Sequence, residues 1–336
     1  TQTNNYAAIK LQENISKDTY AWFPVTADEL KALFALSILM SQNKKPCIQD
    51  NWMTRKGIET PIFSNTMPYK RFKAISRYLH FVVDLPANAN DKLKKVRPVV
   101  NHLTNKFKNI YIPGENISID ESLMKFRGRL SFVQFNPSKR ARFGIKFYKV
   151  CSSENGYCWN FKIYTGKDYA GADGNTNGKK LLASEKVVLE LSEELLGSWR
   201  TIFMDNWYSS PTLFYELLQR NTKAVGTVRP NRKNFPTHFR GSKLKKGEMT
   251  FASTNGVLAM KWVDKKDVHM LSIVHERPDF VEKKKSNGKT VLKPNCVVDY
   301  NCAMGGVDAH DQRLESYPLM RRYVKGYEKY TTTFLT

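Results

Sequence analysis

Three aspartates occupy places in the sequence from which their carboxylates could share divalent metal ions. Asp120 lies within an alternating apolar stretch at 117–122, Asp205 follows the apolar run Thr201–Met204, and Asp308 begins a helix-like stretch. Carboxylate oxygens are hard ligands that suit Mg²⁺ or Mn²⁺. Two such ions activate a nucleophile and stabilise the leaving oxygen in phosphoryl transfer. The pattern therefore predicts a site for metal-dependent phosphoryl transfer with two ions.

A structural role is the alternative for each of these aspartates. Aspartate is common in turns and at the start of helices, where its side chain caps backbone N–H groups. The apolar neighbours Ile119 and Met204 favour a different interpretation, because a carboxylate in apolar surroundings is costly unless a positive group meets it. Three clustered carboxylates also raise one another's pKa in the absence of metal.

The elements that must position these aspartates follow from a change in hydrophobic period near residue 116. Alternation predicts strands at 116–125, 127–135, 143–151, 157–164, 201–204 and 224–228, and helical spacing predicts helices at 181–196 and 211–218. The order β-β-β-α-β-α-β is typical of an RNase H-like core. In such a sheet the first two aspartates lie on adjacent central strands and the third approaches from a helix packed against them.

The rest of the chain surrounds this core. Residues 1–115 form an all-α region that includes a capping box at Thr26 and Glu29. The core spans 116–228, and a β-rich subdomain is inserted at 229–295. An extended run at 297–300 and the helix with Asp308 complete the core over 296–314, and the helical 315–336 returns to the first domain. The predicted fold class is α/β.

Charge and composition narrow the class of partner. The 336 residues contain 54 Lys and Arg against 31 Asp and Glu, a formal charge of +23, which favours a polyanionic partner. The longest apolar run, 33–40, is too short to span a membrane, and residues 1–17 lack the pattern of a signal peptide. Five cysteines without a C-x-x-C pair predict neither a disulfide framework nor a zinc site in this chain, and favour a reducing compartment.

Five blocks of sequence resemble, in order, the signature blocks of the piggyBac transposases. They are IDESLMKFRGR at 119–129, GIK at 144–146, MDNWYSS at 204–210, VGTVR at 225–229 and GGVDAHDQ at 305–312. Upstream, 24–37, NW at 51–52, RF at 71–72 and YLHF at 78–81 are similar to the helical N-terminal domain of that family. The resemblance covers nearly the whole chain.

The resemblance implies a function and assigns residues to it. Asp120, Asp205 and Asp308 match the family's catalytic three, and Asp311 matches a further acidic position beside the metals. Asn206, Arg229 and Arg232 match positions that act near target DNA, and the basic residues Arg127, Arg129 and Lys146 of the first two blocks are further candidates for DNA contacts. The implied reaction is nicking at transposon ends, hairpin formation and joining at TTAA sites in double-stranded DNA, by a homodimer in the nucleus. The family's zinc-binding, cysteine-rich C-terminal domain has no counterpart among these residues.

Two other functions remain possible for this sequence, and three groups of residues have expected local roles. A catalytically silent, domesticated transposase would still bind DNA, and an RNA-binding protein would explain the charge but not the aspartates. The aromatic residues Trp207, Tyr208 and Trp262 either stack on unpaired bases or pack in the core, with core packing favoured. Cys151 and Cys158 flank a turn at 155–156 and are expected not to face each other directly, and the lysines at 92–95, 243–246 and 283–285 are expected in solvated loops that meet phosphates.

Overall fold

A computed structural model describes residues 1–13, 21–83, 91–126, 128–137, 142–166, 175–176, 179–284, 288 and 290–317. The helices are α1 (Gln2–Gln12), α2 (Ala27–Gln42), α3 (Pro61–Thr66), α4 (Tyr69–Tyr78), α5 (Arg97–Ile110), α6 (Ala183–Ser192), α7 (Pro211–Gln219), α8 (His238–Gly241), α9 (Asn295–Ala303) and α10 (Gly306–Ser316). The strands are β1 (Asn116–Lys125), β2 (Gln134–Phe135), β3 (Phe143–Ser152), β4 (Cys158–Ile163), β5 (Asn175–Thr176), β6 (Lys179–Lys180), β7 (Thr201–Met204), β8 (Lys223–Thr227), β9 (Met249–Thr254), β10 (Val257–Val263), β11 (Asp267–Ser272), β12 (Phe280–Lys284) and β13 (Thr290–Pro294). The protein is mixed α/β, as predicted, and none of the helices so described has the length and apolarity of a membrane span.

The chain divides into two compact units. One takes its described residues from 1–105, 126–131 and 313–336, and the other from 106–125 and 132–312. In the first unit the predicted capping box is confirmed at α2. The Oγ1 of Thr26 accepts the backbone N–H of Glu29 at 3.1 Å, and the Glu29 carboxylate accepts the N–H of Thr26 at 3.0 Å. Buried residues of α2, α3 and α4, including Leu33, Phe63 and Ile75, form the core of this unit.

A nine-stranded mixed sheet dominates the second unit. Its strands follow the order β2-β3-β1-β7-β8-β11-β10-β9, and β4 also pairs with β3. Strand β3 is antiparallel to both β1 and β4, whereas β7 is parallel to β1 and β8 is parallel to β7. Strands β9 to β11, which the sequence assigns to an inserted segment, continue the same sheet because β11 pairs with β8.

Both faces of the central strands are buried, because helices cover each of them. Ile202 and Met204 of β7 pack in a core that includes residues of α6 and α7, whereas Phe203, between them, packs in a second core with Cys296 and Val297 of α9. Alternate side chains of a strand point to opposite faces. The near-continuous apolar sequence of β7 is what such a doubly covered strand requires.

Some local predictions are wrong. Residues 297–300 were expected to be extended, but they lie in helix α9, which begins directly after Pro294. Among the described residues of the predicted 127–135 strand, 128–135, strand pairing is limited to Gln134–Phe135. Cys151 and Cys158 are direct partners across β3 and β4, because a register shift after Val150 changes the expected pairing.

Candidate functional site

Two of the predicted aspartates lie beside each other where the pairing of β1 with β7 ends. Asp120 is the fifth residue of β1, and Asp205 directly follows β7. These strands are parallel, and their last register pair is Ile119 with Met204, one residue before each aspartate. The apolar residues of the two strands are buried in the core. Strand pairing and core packing therefore bring the two aspartates close together on the central strands of the sheet.

The electrostatic surroundings of this pair disfavour negative charge. The pKa of Asp120 is raised to about 7, chiefly by burial and also by the charges of Asp205, Glu121 and Asp308, against a backbone hydrogen bond that lowers it. That hydrogen bond is donated by the N–H of Glu121 at 2.8 Å. Burial also raises the pKa of Asp205, with the charge of Glu121 adding to the effect. A cation would relieve this repulsion.

Helix α10 brings the third aspartate near the pair. A Cβ at Gly306, in the first turn, would lie 2.4 Å from the Oγ of Ser118 and 2.7 Å from the carbonyl oxygen of Ser152. Only glycine permits this close approach of α10 to β1 and β3. Asp308 is exposed in the first turn of the helix, and its charge reaches Asp120.

Asp311, one turn further along α10, is already engaged by the sheet. Its Oδ1 accepts hydrogen bonds from Lys149 Nζ at 2.7 Å and from Ser122 Oγ at 2.9 Å. The Lys149 side chain is only 7% exposed, and this residue is the register partner of Asp120 across β1 and β3. Asp311 thus pairs with a buried lysine beside the candidate site, a contact that the sequence did not predict.

Two arginines meet the loop that follows Asp205. The Nε of Arg229 donates to the side-chain oxygen of Asn206 at 3.0 Å, and Arg232 donates to the backbone carbonyls of Asn206 and Trp207. Burial lowers the pKa of Arg232, and the neighbouring charge of Arg229 lowers it further. The Nε of Arg232 is buried and has no hydrogen-bond partner among the residues that the structure describes. The pair presents concentrated positive charge that an anion would compensate.

Of the other three predicted DNA-contacting residues, one lies near the candidate site, one lies in the other compact unit and one is outside the described residues. Lys146 lies 3.6 Å from the Glu121 carboxylate, with its Nζ 5.0 Å from the ring centroid of Trp207. Arg129 is exposed in the first unit, and Arg127 lies outside the described residues. Of the aromatic candidates, Tyr208 and Trp262 are buried in the core, as expected.

Glu121 is an acidic residue of this region that sequence reasoning missed. It raises the pKa of Asp120 and of Asp205, and its carboxylate also raises the pKa of the buried Tyr208 phenol, after burial itself. The feature of the sequence that could have identified Glu121 is its position next to Asp120 in the first sequence block. Adjacent residues of a strand point to opposite faces, so alternation along β1 does not associate Glu121 with Asp120.

The donor chemistry of the site suits a hard divalent cation. Asp120, Asp205 and Asp308 offer carboxylate oxygens of the kind that Mg²⁺ and Mn²⁺ prefer, and the buried pair lacks enough positive charge of its own. In the part of the chain that the structure describes, no three His, Cys, Asp or Glu side chains converge into a finished metal-binding group. The side chains present are thus the right chemical type, without a closed coordination shell.

Comparison with known proteins gives a consistent result. A family model described as Transposase IS4 matches residues 1–336. The human PiggyBac transposable element-derived protein 3 is 27% identical over 329 residues, which cover 93% of this chain and 53% of that protein. The human PiggyBac transposable element-derived protein 2 is 25% identical over 342 residues, which cover 98% of this chain and 55% of that protein. The chain thus spans about half the length of these curated relatives.

A solved structure shares the fold. A chain of the piggyBac transposase synaptic complex with hairpin DNA, determined by cryo-electron microscopy, aligns with a TM-score of 0.82 and 27% identity. The alignment covers 99% of this chain and 68% of that chain. Together with the family match over the whole sequence, it establishes that this chain belongs to the Transposase IS4 family and is a piggyBac-family protein.

Proposed function

We propose that this chain is the catalytic body of a cut-and-paste DNA transposase of the piggyBac type. The observation that carries the proposal is the meeting of Asp120 and Asp205 on adjacent parallel strands, with Asp308 on a helix packed against them. In this proposal the three aspartates hold Mg²⁺ or Mn²⁺, which supply Lewis-acid stabilisation of a phosphoryl-transfer transition state. The match to a transposase family supports this reaction class.

The strand order supports an RNase H-like core. Five strands run in the order β4-β3-β1-β7-β8, in which β3 is antiparallel to both β4 and β1, and β7 and β8 are parallel to β1. The sequence predicted the order of the elements along the chain, β-β-β-α-β-α-β, to which these strands belong. In this core, β1 carries the first aspartate and β7 the second.

Several observations support double-stranded DNA as the substrate. The chain carries a formal charge of +23, and Arg229 and Arg232 place two guanidinium groups next to Asp205. The similar solved structure is a complex with hairpin DNA. We therefore propose nicking at transposon ends, hairpin formation and joining at TTAA targets, with Asn206, Arg229, Arg232, Lys146, Arg127 and Arg129 contributing DNA contacts.

In this mechanism the protein residues orient the reacting groups. Asp120 and Asp205 are fixed by strand pairing, so their oxygens need little reorganisation when substrate binds. Lys149 keeps Asp311 on the sheet and thereby holds α10 and Asp308 in place. The arginines hold the phosphate backbone against the loop after β7. We further propose that two copies act on two ends, and that the protein works in the nucleus.

A supercoiled-plasmid nicking assay with Mg²⁺ tests the proposal. Wild-type protein is expected to give open-circular plasmid, and Asp205→Asn is expected to give none while binding the same DNA. Asp28→Asn is a matched control, because that side chain is 88% exposed and pairs only with a surface lysine in the same helix. Equal nicking by wild type and Asp205→Asn would refute the catalytic role.

A silent, domesticated DNA-binding protein is the second candidate function. It is favoured by the pairing of Asp311 with a buried lysine, which neutralises one of the four acidic positions. The names of the human relatives also describe proteins derived from transposable elements. This alternative predicts salt-sensitive DNA binding that survives substitution of Asp120, Asp205 and Asp308 together, with no nicking by the wild type in Mg²⁺ or Mn²⁺.

A further inference from the structure

Strands β12 and β13 form a two-stranded ribbon that is separate from the nine-stranded sheet. Their antiparallel register runs from Phe280 opposite Pro294 to Lys284 opposite Thr290. All five residues of β12 are exposed, and Leu292 of β13 is 59% exposed. An isolated two-stranded ribbon is marginally stable by itself, so its attachment to the rest of the protein decides whether it holds a defined shape.

The base of this ribbon is firmly attached. The backbone N–H of Asn295 donates to the carbonyl of Asp279 at 2.8 Å, which joins the two strands where they leave the protein. Next to them, His275 bridges the Oγ of Ser272 at 2.7 Å and the carboxylate of Asp299 at 3.0 Å. These contacts tie the end of β11 to α9, the helix that directly follows β13. The ribbon is therefore an anchored arm. Lys283 and Lys284 lie on its first strand and not in the loop that the sequence predicted, and Lys285 lies outside the described residues.

The charged residues of the ribbon are almost all positive. Between residues 280 and 294 the sequence contains five lysines and one glutamate. Lys283 and Lys284 are exposed on β12, and Lys293 is half-buried on β13 opposite Val281. Lysines on an exposed strand also discourage pairing with other strands, so a protein strand is a poor occupant for this arm. A polyanion complements it.

We propose that the β12–β13 ribbon is a DNA-binding arm that lies along the backbone or in the major groove of duplex DNA. The major groove of B-DNA admits a two-stranded β-ribbon, and lysines on the ribbon neutralise phosphates. The inference rests on the proposed function, since it names a second DNA contact surface for the same protein. Because β13 leads into α9 and then into α10, one helix links the arm to α10, the element that carries Asp308.

The salt dependence of DNA binding tests the arm. Fluorescence anisotropy with a labelled 30-base-pair duplex, from low to high NaCl, gives the slope of log K against log salt. The triple substitution K283Q/K284Q/K293Q is expected to reduce the slope by about 2 to 3, because each lost phosphate contact lowers it by about 0.9. At fixed moderate salt we expect affinity to fall by about tenfold or more.

The control is the triple substitution K243Q/K245Q/K246Q, which removes the same charge from three exposed lysines between α8 and β9. It is expected to change the slope by less than half as much. Equal effects of the two variants would overturn the proposal, because DNA would then respond only to net charge. Unchanged DNA binding with a shift to smaller oligomers in sedimentation would also overturn it, in favour of contact with a second copy. Failure of the wild type to bind DNA would instead refute the proposed function.

Discussion

The carboxylate site and the β12–β13 ribbon use charge in opposite ways. Asp120 and Asp205 are held in partly buried positions where burial raises the pKa of both, and every neighbouring contact restricts them. The lysines of the ribbon project from an exposed two-stranded arm whose fixed contacts lie at its base. The carboxylate site brings together negative charges that its protein neighbours do not neutralise. The ribbon carries positive charges that are exposed to water.

Because of this difference, the carboxylate site is suited to catalysis and the ribbon to DNA affinity. A site that must position reacting atoms needs preorganisation, and preorganised charge in low dielectric is worth far more than charge in water. An arm that increases affinity for DNA needs only to neutralise phosphates, and it supplies little sequence information. Substitutions in the two regions should therefore separate catalysis and stability from salt-dependent affinity.

The largest effect is expected for cleavage by Asp308→Asn. Loss of one carboxylate of a site that supplies several kcal/mol of transition-state stabilisation should lower the nicking rate by about 10³-fold, at 1.36 kcal/mol per tenfold. The rate is measured with saturating protein so that DNA occupancy is equal. Under the same conditions K283Q/K284Q/K293Q should nick within about threefold of wild type. A large rate defect in the ribbon variant at saturation would break the comparison.

The next effect concerns the pH dependence of stability without metal. The folded-state pKa of Asp120, about 7, lies above its ordinary value of 3.8, so the folded protein binds the proton more tightly. This group therefore costs stability as pH rises from about 4 to 7, and the cost persists above pH 7. Asp120→Asn is expected to be more stable than wild type by about 4 kcal/mol at pH 8 and by only about 1 kcal/mol at pH 4.5.

Urea denaturation in EDTA at the two pH values measures this difference. Asp28→Asn serves as the control, since its carboxylate is exposed. A gain in stability that is the same at pH 4.5 and pH 8 would show that removal of the carboxyl charge is not the cause.

A smaller loss of stability is expected for Lys149→Met. The substitution removes the cation 2.7 Å from Asp311 and leaves that carboxylate with Ser122 as its remaining described partner. Breaking a fully buried pair costs about 3 to 5 kcal/mol, and because the Asp311 side chain is 36% exposed we expect about 2 kcal/mol. The matched control is Lys31→Met, whose pair with Asp28 is on the surface and is worth less than about 1 kcal/mol.

The double substitution Lys149→Met/Asp311→Leu completes a thermodynamic cycle. It should recover part of the stability lost in Lys149→Met, because neither charge remains unpaired. If the losses of stability in Lys149→Met and in Asp311→Leu add up to the loss in the double variant, the pair does not hold α10 on the sheet.

The smallest effect is expected for the stability of the ribbon variant. Exposed substitutions usually change the free energy of unfolding by less than about 0.5 kcal/mol, so K283Q/K284Q/K293Q should unfold like the wild type. Chemical denaturation monitored by tryptophan fluorescence provides this value. A loss above 1 kcal/mol would indicate that the lysines support the fold, and the ribbon would then differ less from the carboxylate site than we infer.

The central elements were predictable because local pattern and tertiary structure agree there. Strand β1 matches its predicted bounds because its residues alternate in polarity, and β7 does so as well because its apolar residues on both faces pack against helices. The aspartates were visible as polar exceptions in those apolar runs. Helix α9 was misassigned because its short apolar stretch fits a strand or a buried helix equally well, and its packing against Phe203 and Val225 decides between them.

The remaining features depend on register and distance along the chain, which periodicity does not report. Lys149 meets Asp311 across 162 residues because β3 pairs with β1 and α10 packs on them. The Arg232 contact with the loop after β7 likewise joins residues 25 apart. The ribbon was hidden for a different reason, since its high lysine content resembles that of a solvated loop.

The binding of Mn²⁺ by the DNA-free protein tests the central claim most directly, and electron paramagnetic resonance counts the free ion. Our account predicts that wild type and Asp28→Asn bind Mn²⁺ with the same affinity, that Mg²⁺ competes, and that Asp205→Asn binds at least about tenfold more weakly. Affinity should rise with pH as the Asp120 proton is displaced. Equal Mn²⁺ affinity in wild type and Asp205→Asn would contradict a metal site built by the carboxylates of β1, β7 and α10.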